Sequence, residues 1–531
     1  MTMKDEFFGR QAYLDLLQKR VSALKDGYRQ NIAIIGDELV GKTSIIFKFL
    51  NRFYDFRFIP VYIEVRPESL SSFAKRFIGI LLYNFLANSG FELIENLDFL
   101  IRKSEKYIPQ TIKKINFILE AVEKRKKNNV FTELLSLCDS INDETGKFCV
   151  VIMDEFHHLE KMEVNGLYRE WSKILITQKS TIYIIVSSMK FRAKAILSKE
   201  LSLLFGNFEL ITVEPFNIKT SEEYIEFKSG DLVIDNGIRD FIVNFTGGYP
   251  FYMELILNDF LKSGNPDITD TLENLLFSSS GILSQRFSNY LKRFLDKPHS
   301  QDYISILYQI STGHNKIKDI AHILRQQKKE LLLRINHLLE LDTVTRSGDF
   351  LKINDRVFGF WLRLVYQEKT HSLTFNADNQ RALFRESIAE LLKDFLNFTH
   401  KPIIDRTAEL LRLFEDEVMQ IEKKRLRLTH FREIKPLEFE NKRMKEGLLG
   451  RSRDSLWIIA FKHGLLTEDD IVDFSRECKK YRHKSQKKII VAENDIDTNA
   501  RLRAMEEKIL TWDINNLNQI LDLFSKPRVI A

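Results

Sequence analysis

The sequence predicts an α/β fold: a parallel sheet flanked by helices, then a helical stretch, then a smaller α/β domain. Three observations carry this. Short apolar runs rich in β-branched residues alternate with helix-period segments over residues 11–216, and the glycine-bounded segment GDELVGKT interrupts the first strand-to-helix step. The strand rhythm then stops after residue 216, to resume only towards the C-terminus.

In chain order, QAYLDLLQKRVSALK (11–25) has apolar side chains at helical spacing, and NIAIIG follows as a buried-strand run ending in Gly36. FIPVYIEV (58–65) is a second strand, followed by the helical pattern SLSSFAKRFIGILLYNFL. FCVVIM (148–153) and TIYIIVSS (181–188) are two more apolar runs, of the kind buried on both faces of a parallel sheet. Residues 89–140 interrupt the rhythm with a charged helical stretch, read as an insertion whose charges form a solvated face. After ITVEPF (211–216) helical patterns run to about residue 295, with TGGYP (246–250) as the sharp turn. Residues 301–366 give short helices and then two β-rich runs around Ser347, Gly348 and Asp349, a winged-helix pattern. Residues 374–427 read as helix. HFREIKPLEFE, SLWIIAFK, a helix at 467–481, KKIIVAE, a helix at 498–508 and ILTWDI complete a small α/β domain. The expected boundaries are 1–216 for the core, 217–298 for a helical lid, 299–370 for the winged helix and 371–531 for the last domain.

At about 150 residues per domain, 531 residues imply three or four domains. Hydrophobic residues are 44% and charged residues 29%, enough to build cores and far from a disordered composition. The net charge of +6 does not by itself announce nucleic acid, so a basic surface has to be local. Cys138, Cys149 and Cys478 have no disulfide or zinc spacing, and no run approaches the ~20 apolar residues of a membrane span; a cytoplasmic protein is expected.

GDELVGKT (36–43) fits the phosphate-binding pattern G-x-x-x-x-G-K-[ST] and sits between an apolar strand and a helix start. Gly36 and Gly41 admit close backbone approach, with Asp37, Glu38, Leu39, Val40 and Ser44 completing the loop. Lys42 brings a charge to the β/γ-phosphates, and the Thr43 hydroxyl is a Mg²⁺ ligand. In VVIMDE the strand delivers Asp154 to its end as a second Mg²⁺ partner, and Glu155 is the candidate base that polarises water. Ser188 ends the strand TIYIIVSS, where a hydroxyl can meet the γ-phosphate or its water; a plain strand-end turn is the alternative. His157 and His158 have no accompanying ligand cluster and are read as surface or supporting residues.

FFGRQAYLDLL, GDELVGKT, VVIMDE, VSS, VEPF and TGGYP occur in the order found in archaeal-type ATPases, a branch of the STAND NTPases within the AAA+ class. The chain resembles that family from residue 7 to about 366, through INDRVFGFWLRLVY; FFGR and TGGYP narrow a match that other NTPases share. The resemblance implies a P-loop NTPase core that binds ATP and Mg²⁺, with Gly9, Arg10 and Pro250 near adenine and ribose and a lid that responds to nucleotide. It also implies an arginine finger shortly before VEPF, where this sequence has Asn207; Arg169 and Arg192 are substitutes to consider. Because such an arginine is worth about 10³ to 10⁵ in rate, slow hydrolysis is expected.

Lys316, Lys318, Arg325, Lys328, Lys329 and Arg334 surround the second and third helices of the winged-helix pattern, with Arg346 at its hairpin. They are candidate contacts to double-stranded DNA, the alternative being a module that docks on protein. The last domain has the element order of PD-(D/E)xK nucleases, which similar ATPases carry at this end. The tripeptide matching E-x-K is Ala460, Phe461 and Lys462, so a metal-binding Glu is missing; Asp454, Glu438 and Glu440 are the remaining carboxylates. The expectation is a nucleotide-dependent switch acting on DNA, with an inactive nuclease-like domain and a nucleotide-dependent homo-oligomer as a candidate assembly. A non-catalytic ATP-binding scaffold that recruits a protein partner and an ATP-gated nuclease are the alternatives.

Overall fold

A computed structural model describes residues 7–87, 93–124, 129–162, 164, 166–201, 208–230, 232–262, 267–295, 300–366, 377–421, 424–440, 443–444, 446–481 and 485–530. The chain divides into two compact units. The first is residues 1–216 with 249–251 and 340–342; the second is 217–248, 252–339 and 343–531.

The first unit is built on five parallel strands, β1 (Asn31–Ile35), β2 (Phe58–Glu64), β3 (Phe148–Asp154), β4 (Thr181–Ser187) and β5 (Phe208–Thr212), in the order β2-β3-β4-β1-β5. β1 and β4 are buried along their whole length and β3 along all but its first residue, which is why they read as unbroken apolar runs. β4 lies between β1 and β3, so the ends of those three strands form one edge carrying Gly36, Asp154, Ser187 and Ser188. The helices Pro109–Glu123 and Val130–Thr145 are integral to this unit. Ile112, Ile115, Ile118 and Val122 recur at helical spacing and join one core with Phe77 and Leu81 of the helix Leu70–Ala87, while the charged residues between them face outward.

In the second unit the helices Ile218–Ser229, Asn236–Thr246 and Ile282–Leu295 precede the helices Ser300–Ser311, Ile317–Ile323 and Lys328–Glu340. These lead into the antiparallel hairpin β6 (Val344–Ser347) and β7 (Phe350–Ile353). The reading of 374–427 as helix fails at its end. Helices Ala377–Thr399 and Ile403–Leu411 are followed by an antiparallel pair, β8 (Glu417–Ile421) and β9 (Lys424–Leu428). Leu426 and Leu428 are buried and alternate with Arg425 and Arg427, a period of two that decides for strand.

The last sheet, β10 (Glu433–Glu438), β11 (Glu446–Arg451), β12 (Leu456–Lys462), β13 (Gln486–Ala492) and β14 (Ile509–Asp513), runs in that order. Its first three strands are antiparallel and its last three parallel. β11 has no sequence signature because it carries two glycines. A Cβ on Gly447 would lie 2.4 Å from the Phe439 ring, and one on Gly450 2.8 Å from the Phe431 ring, so both glycines make room for aromatic side chains across the strand.

Candidate functional site

The loop after β1 is shaped by backbone that only certain residues tolerate. A Cβ on Gly36 would lie 2.4 Å from the Val213 carbonyl oxygen. Gly41 has φ 91° and Leu39 φ 67°, both left-handed. The turn feeds the helix Lys42–Arg52, whose first-turn N–H groups have no partner within the helix, and such a start attracts anions through its amides and dipole. Lys42 is buried, its Nζ 2.7 Å from the Asp37 carbonyl oxygen and 3.1 Å from that of Gly36. Burial lowers its pKa; the carboxylates of Glu155, Asp154, Asp37 and Glu38 oppose that shift.

The Thr43 hydroxyl donates to Asp154 Oδ2 over 2.8 Å, bringing together residues 111 positions apart. Tyr62, at the end of β2, donates to the same oxygen over 3.0 Å, and the Glu155 amide to Asp154 Oδ1 over 2.9 Å. One hydroxyl and one carboxylate beside a phosphate cradle is the donor set for Mg²⁺, which takes one or two protein oxygens and keeps water or phosphate elsewhere. The residues present therefore fit Mg²⁺ with a nucleoside triphosphate.

Glu155 has φ 52° and its Oε2 accepts from the Ser188 amide (3.0 Å) and hydroxyl (2.8 Å). Burial raises its pKa, and the two Ser188 donors and Lys42 pull it down. His157 is buried, its Nδ1 2.9 Å from Ser187 Oγ and 3.3 Å from Glu155 Oε2. Burial and nearby cations push its pKa down to about 3, so it is a neutral hydrogen-bonding group. Of the two readings of His157, surface or supporting, the structure has it buried and hydrogen-bonded to Ser187 at the end of β4; sequence reading misses Tyr62 because it carries no motif and only the neighbouring strand β2 brings it to Asp154.

Asp37 pairs with Lys190 Nζ at 2.8 Å and accepts from the Tyr249 hydroxyl at 3.2 Å, so TGGYP meets the loop through a tyrosine next to the expected Pro250. Pro250 itself opens the helix Pro250–Phe260. Gly9 and Arg10 are both left-handed; the Arg10 guanidinium donates to the Glu214 carbonyl and stacks 4.7 Å from the Phe216 ring, against the VEPF segment. Glu38 and Val40 complete the loop, and Ser44 is exposed in the first helical turn. Arg192 is taken up by a two-point pair with Glu160, and Arg169 is exposed on the helix Leu167–Thr177. Asn207 lies outside the described residues.

A Walker-type ATPase of Pyrococcus abyssi superposes with a TM-score of 0.50 at 18% identity, covering 68% of this chain and 97% of its own. The chain has the fold of a Walker-type P-loop ATPase. The ORC2 protein of Aeropyrum pernix in ADPNP–ADP complexes aligns at 10% identity over 73% of this chain and 98% of its own, with a TM-score of 0.40. The ORC1 protein of the same organism in complex with DNA aligns at 12% identity over 68% and 93%, with a TM-score of 0.35. No family model matches the sequence, and no curated protein does. Within the shared fold, Lys42, Thr43, Asp154 and Glu155 occupy one edge of the first unit's sheet.

In the second unit the basic residues divide. Lys328 and Lys329 are exposed in the first turn of the helix Lys328–Glu340, with Arg325 and Lys318 nearby in sequence and also exposed. Arg334 is paired with Asp302 at 2.7 Å, and Lys316 with Glu415 at 2.9 Å and with Glu417. Arg346 is exposed and donates to the Gly348 carbonyl over 2.9 Å. In the last sheet Ala460 is fully buried, and Lys462 Nζ lies 3.0 Å from Asp470, which caps the helix Glu468–Cys478. Glu440 pairs with Lys480 at 2.7 Å, and among the described residues no group of three or more His, Cys, Asp or Glu gathers for a metal. No described helix is long and apolar enough to cross a membrane.

Proposed function

We propose that the chain is an ATP-binding, slowly hydrolysing ATPase of the STAND/AAA+ type that works as a nucleotide-dependent switch. The observation that carries the reading is the Thr43–Asp154 contact of 2.8 Å with Glu155 held by Ser188 beside it. Thr43 and Asp154 would hold Mg²⁺, the amides at Gly36–Ser44 and the Lys42 ammonium the phosphates, and Gly9, Arg10 and Pro250 the nucleoside side. The metal supplies charge neutralisation on the phosphates. Glu155 orients and accepts a proton from water, with Ser188 fixing its carboxylate. Calorimetric titration with Mg-ATP tests it: Lys42→Ala should lose at least about tenfold in affinity, from charge-assisted bonds worth ~1.5–3 kcal/mol. An unchanged affinity overturns the reading.

The helices 300–340 and the hairpin β6–β7 are read as a winged helix, with Lys328 and Lys329 as the phosphate contacts and Arg346 at the wing; Arg334, tied to Asp302, is left a structural part. A second reading is favoured by the hairpin tip. The Asp349 amide donates to Val418 O (2.8 Å), the Val418 amide to Asp349 Oδ2 (2.8 Å), and Ser347 Oγ exchanges hydrogen bonds with Gln420. A wing engaged in this way is a docking element for the C-terminal domain. Duplex-DNA anisotropy with Lys328→Glu/Lys329→Glu separates the two: the DNA reading expects weaker binding and a salt slope reduced by about one per lysine, the docking reading no change. The nuclease-like C-terminal domain is proposed to be catalytically inactive, since Lys462 is used by Asp470.

A further inference from the structure

The second unit contains a cavity of about 720 Å³, within the range of small-molecule sites. Its walls are aromatic, with Phe241, Phe245, Phe360 and Phe395 among the lining residues. Its charged part is unbalanced. Among the lining residues the Asp522 carboxylate is shared by Lys352 (2.5 Å) and Arg356 (2.8 Å), two cations on one anion; Arg528, outside the lining, also pairs with it (2.8 Å). Arg363 lines the same cavity with its guanidinium 5.8 Å from the Phe360 ring; among the described residues no carboxylate pairs with it, and none pairs with Lys526.

The acidic residues on the lining do not correct this. Lys401 takes Glu409, and Glu390 and Asp394 are exposed and pair with none of these cations. Burial lowers the pKa of Lys352 and of Arg363 and brings Arg356 down to about 10, as expected where positive charge is desolvated without enough counter-charge. Lys352 and Arg356 keep 33% and 23% of their side chains exposed, so these cations are only partly withdrawn from water; held in excess of their paired anions they still favour another anion.

We infer that this cavity binds a small molecule carrying a phosphate group on a flat apolar body. A phosphate dianion matches the lining cations left over, one of the Lys352 and Arg356 pair on Asp522 together with Arg363 and Lys526; the planar forks of Arg356 and Arg363 suit its oxygens better than a point charge, and the phenylalanine walls suit a ring. The site is separate from the P-loop, which belongs to the first unit. Lys352 is on β7, Arg356 and Arg363 follow it, Phe395 is on the helix Ala377–Thr399 and Asp522 on the helix Ile514–Leu523. An occupant therefore touches the hairpin module and the C-terminal domain at once.

Calorimetric titration of the full chain with phenyl phosphate, inorganic phosphate and phenol at low salt tests this. Phenyl phosphate should bind saturably, more tightly than inorganic phosphate and far more tightly than phenol. Arg363→Ala should weaken it about tenfold or more, the value of a charge-assisted hydrogen bond. Lys526→Ala, which removes a charge with no carboxylate paired to it among the described residues, should weaken it by a smaller factor. Lys42→Ala should leave phenyl phosphate binding unchanged, and both cavity variants should leave ATP binding at the P-loop unchanged. The proposal is overturned by any of four results: no saturable binding, phenol binding as tightly as phenyl phosphate, affinity unchanged in both cavity variants, or binding lost in Lys42→Ala, which would place the ligand on the P-loop.

Discussion

In the proposed function Glu155 is the residue on which turnover depends. Its carboxylate is desolvated and held by the two Ser188 donors, and hydrogen bonds to a charged form keep it charged. Removing the Ser188 hydroxyl leaves the amide donor, raises the pKa of Glu155 further and loosens its aim. Ser188→Ala should therefore cut kcat about tenfold and move the acid limb of the pH–rate profile to higher pH, with the Kd for ATP within about twofold of the parent. Glu155→Gln should lower kcat at least about a hundredfold while binding ATP normally, which single-turnover assays and calorimetry separate. The residues that meet at Thr43, Asp154 and Glu155 are singled out in the sequence because the chemistry of a P-loop site is carried by short contiguous strings, GDELVGKT and VVIMDE. Lys190 and Tyr249 on Asp37, 153 and 212 positions away, and His157 on Ser187 are not, because their partners are set by strand order rather than spacing.

Among the elements, fully buried parallel strands announce themselves and β11 does not, since its glycines exist to receive Phe431 and Phe439. The hairpin tip makes a similar demand. Gly348 has φ +63°, and a Cβ there would lie 2.1 Å from the Val418 carbonyl oxygen, in backbone that cannot rotate away. Gly348→Ala should thus separate the tip from β8, cost about 2 kcal/mol from strain and lost hydrogen bonds, and be read in urea unfolding of the second unit. Asp355, which caps the helix Arg356–Trp361 through the Phe358 amide and accepts from Tyr252, makes stability depend on pH. Burial raises its pKa to about 6, against about 3.9 when unfolded. Between those values the folded chain retains a proton the unfolded chain has released, so stability falls as pH rises from about 4 to about 6 and stays lower above. Two pH units correspond to about 2.7 kcal/mol at most, and about 1–2 kcal/mol once partial exposure is allowed for. Asp355→Asn keeps the capping oxygen and cannot ionise, so its advantage over the parent should grow by that amount between pH 4 and pH 7 in thermal unfolding.

At the scale of the whole molecule, the first unit is completed by residues far along the chain, 249–251 and 340–342, yet each unit has its own core. Units with separate cores unfold as separate cooperative steps. A ligand stabilises only the folded species that binds it, by RT ln(1 + [L]/Kd), or about 2.7 kcal/mol at a hundredfold excess over Kd. Every residue proposed to hold Mg-ATP belongs to the first unit. Calorimetry should show two transitions, of which Mg-ATP raises one while the other stays put, and Lys42→Ala should abolish the shift. The transition that moves should also be the one unaffected by Gly348→Ala, because Gly348 and Val418 both belong to the second unit. If Mg-ATP raised both transitions equally, the two units would form one cooperative body, and the assignment of nucleotide binding to the first unit alone would fail.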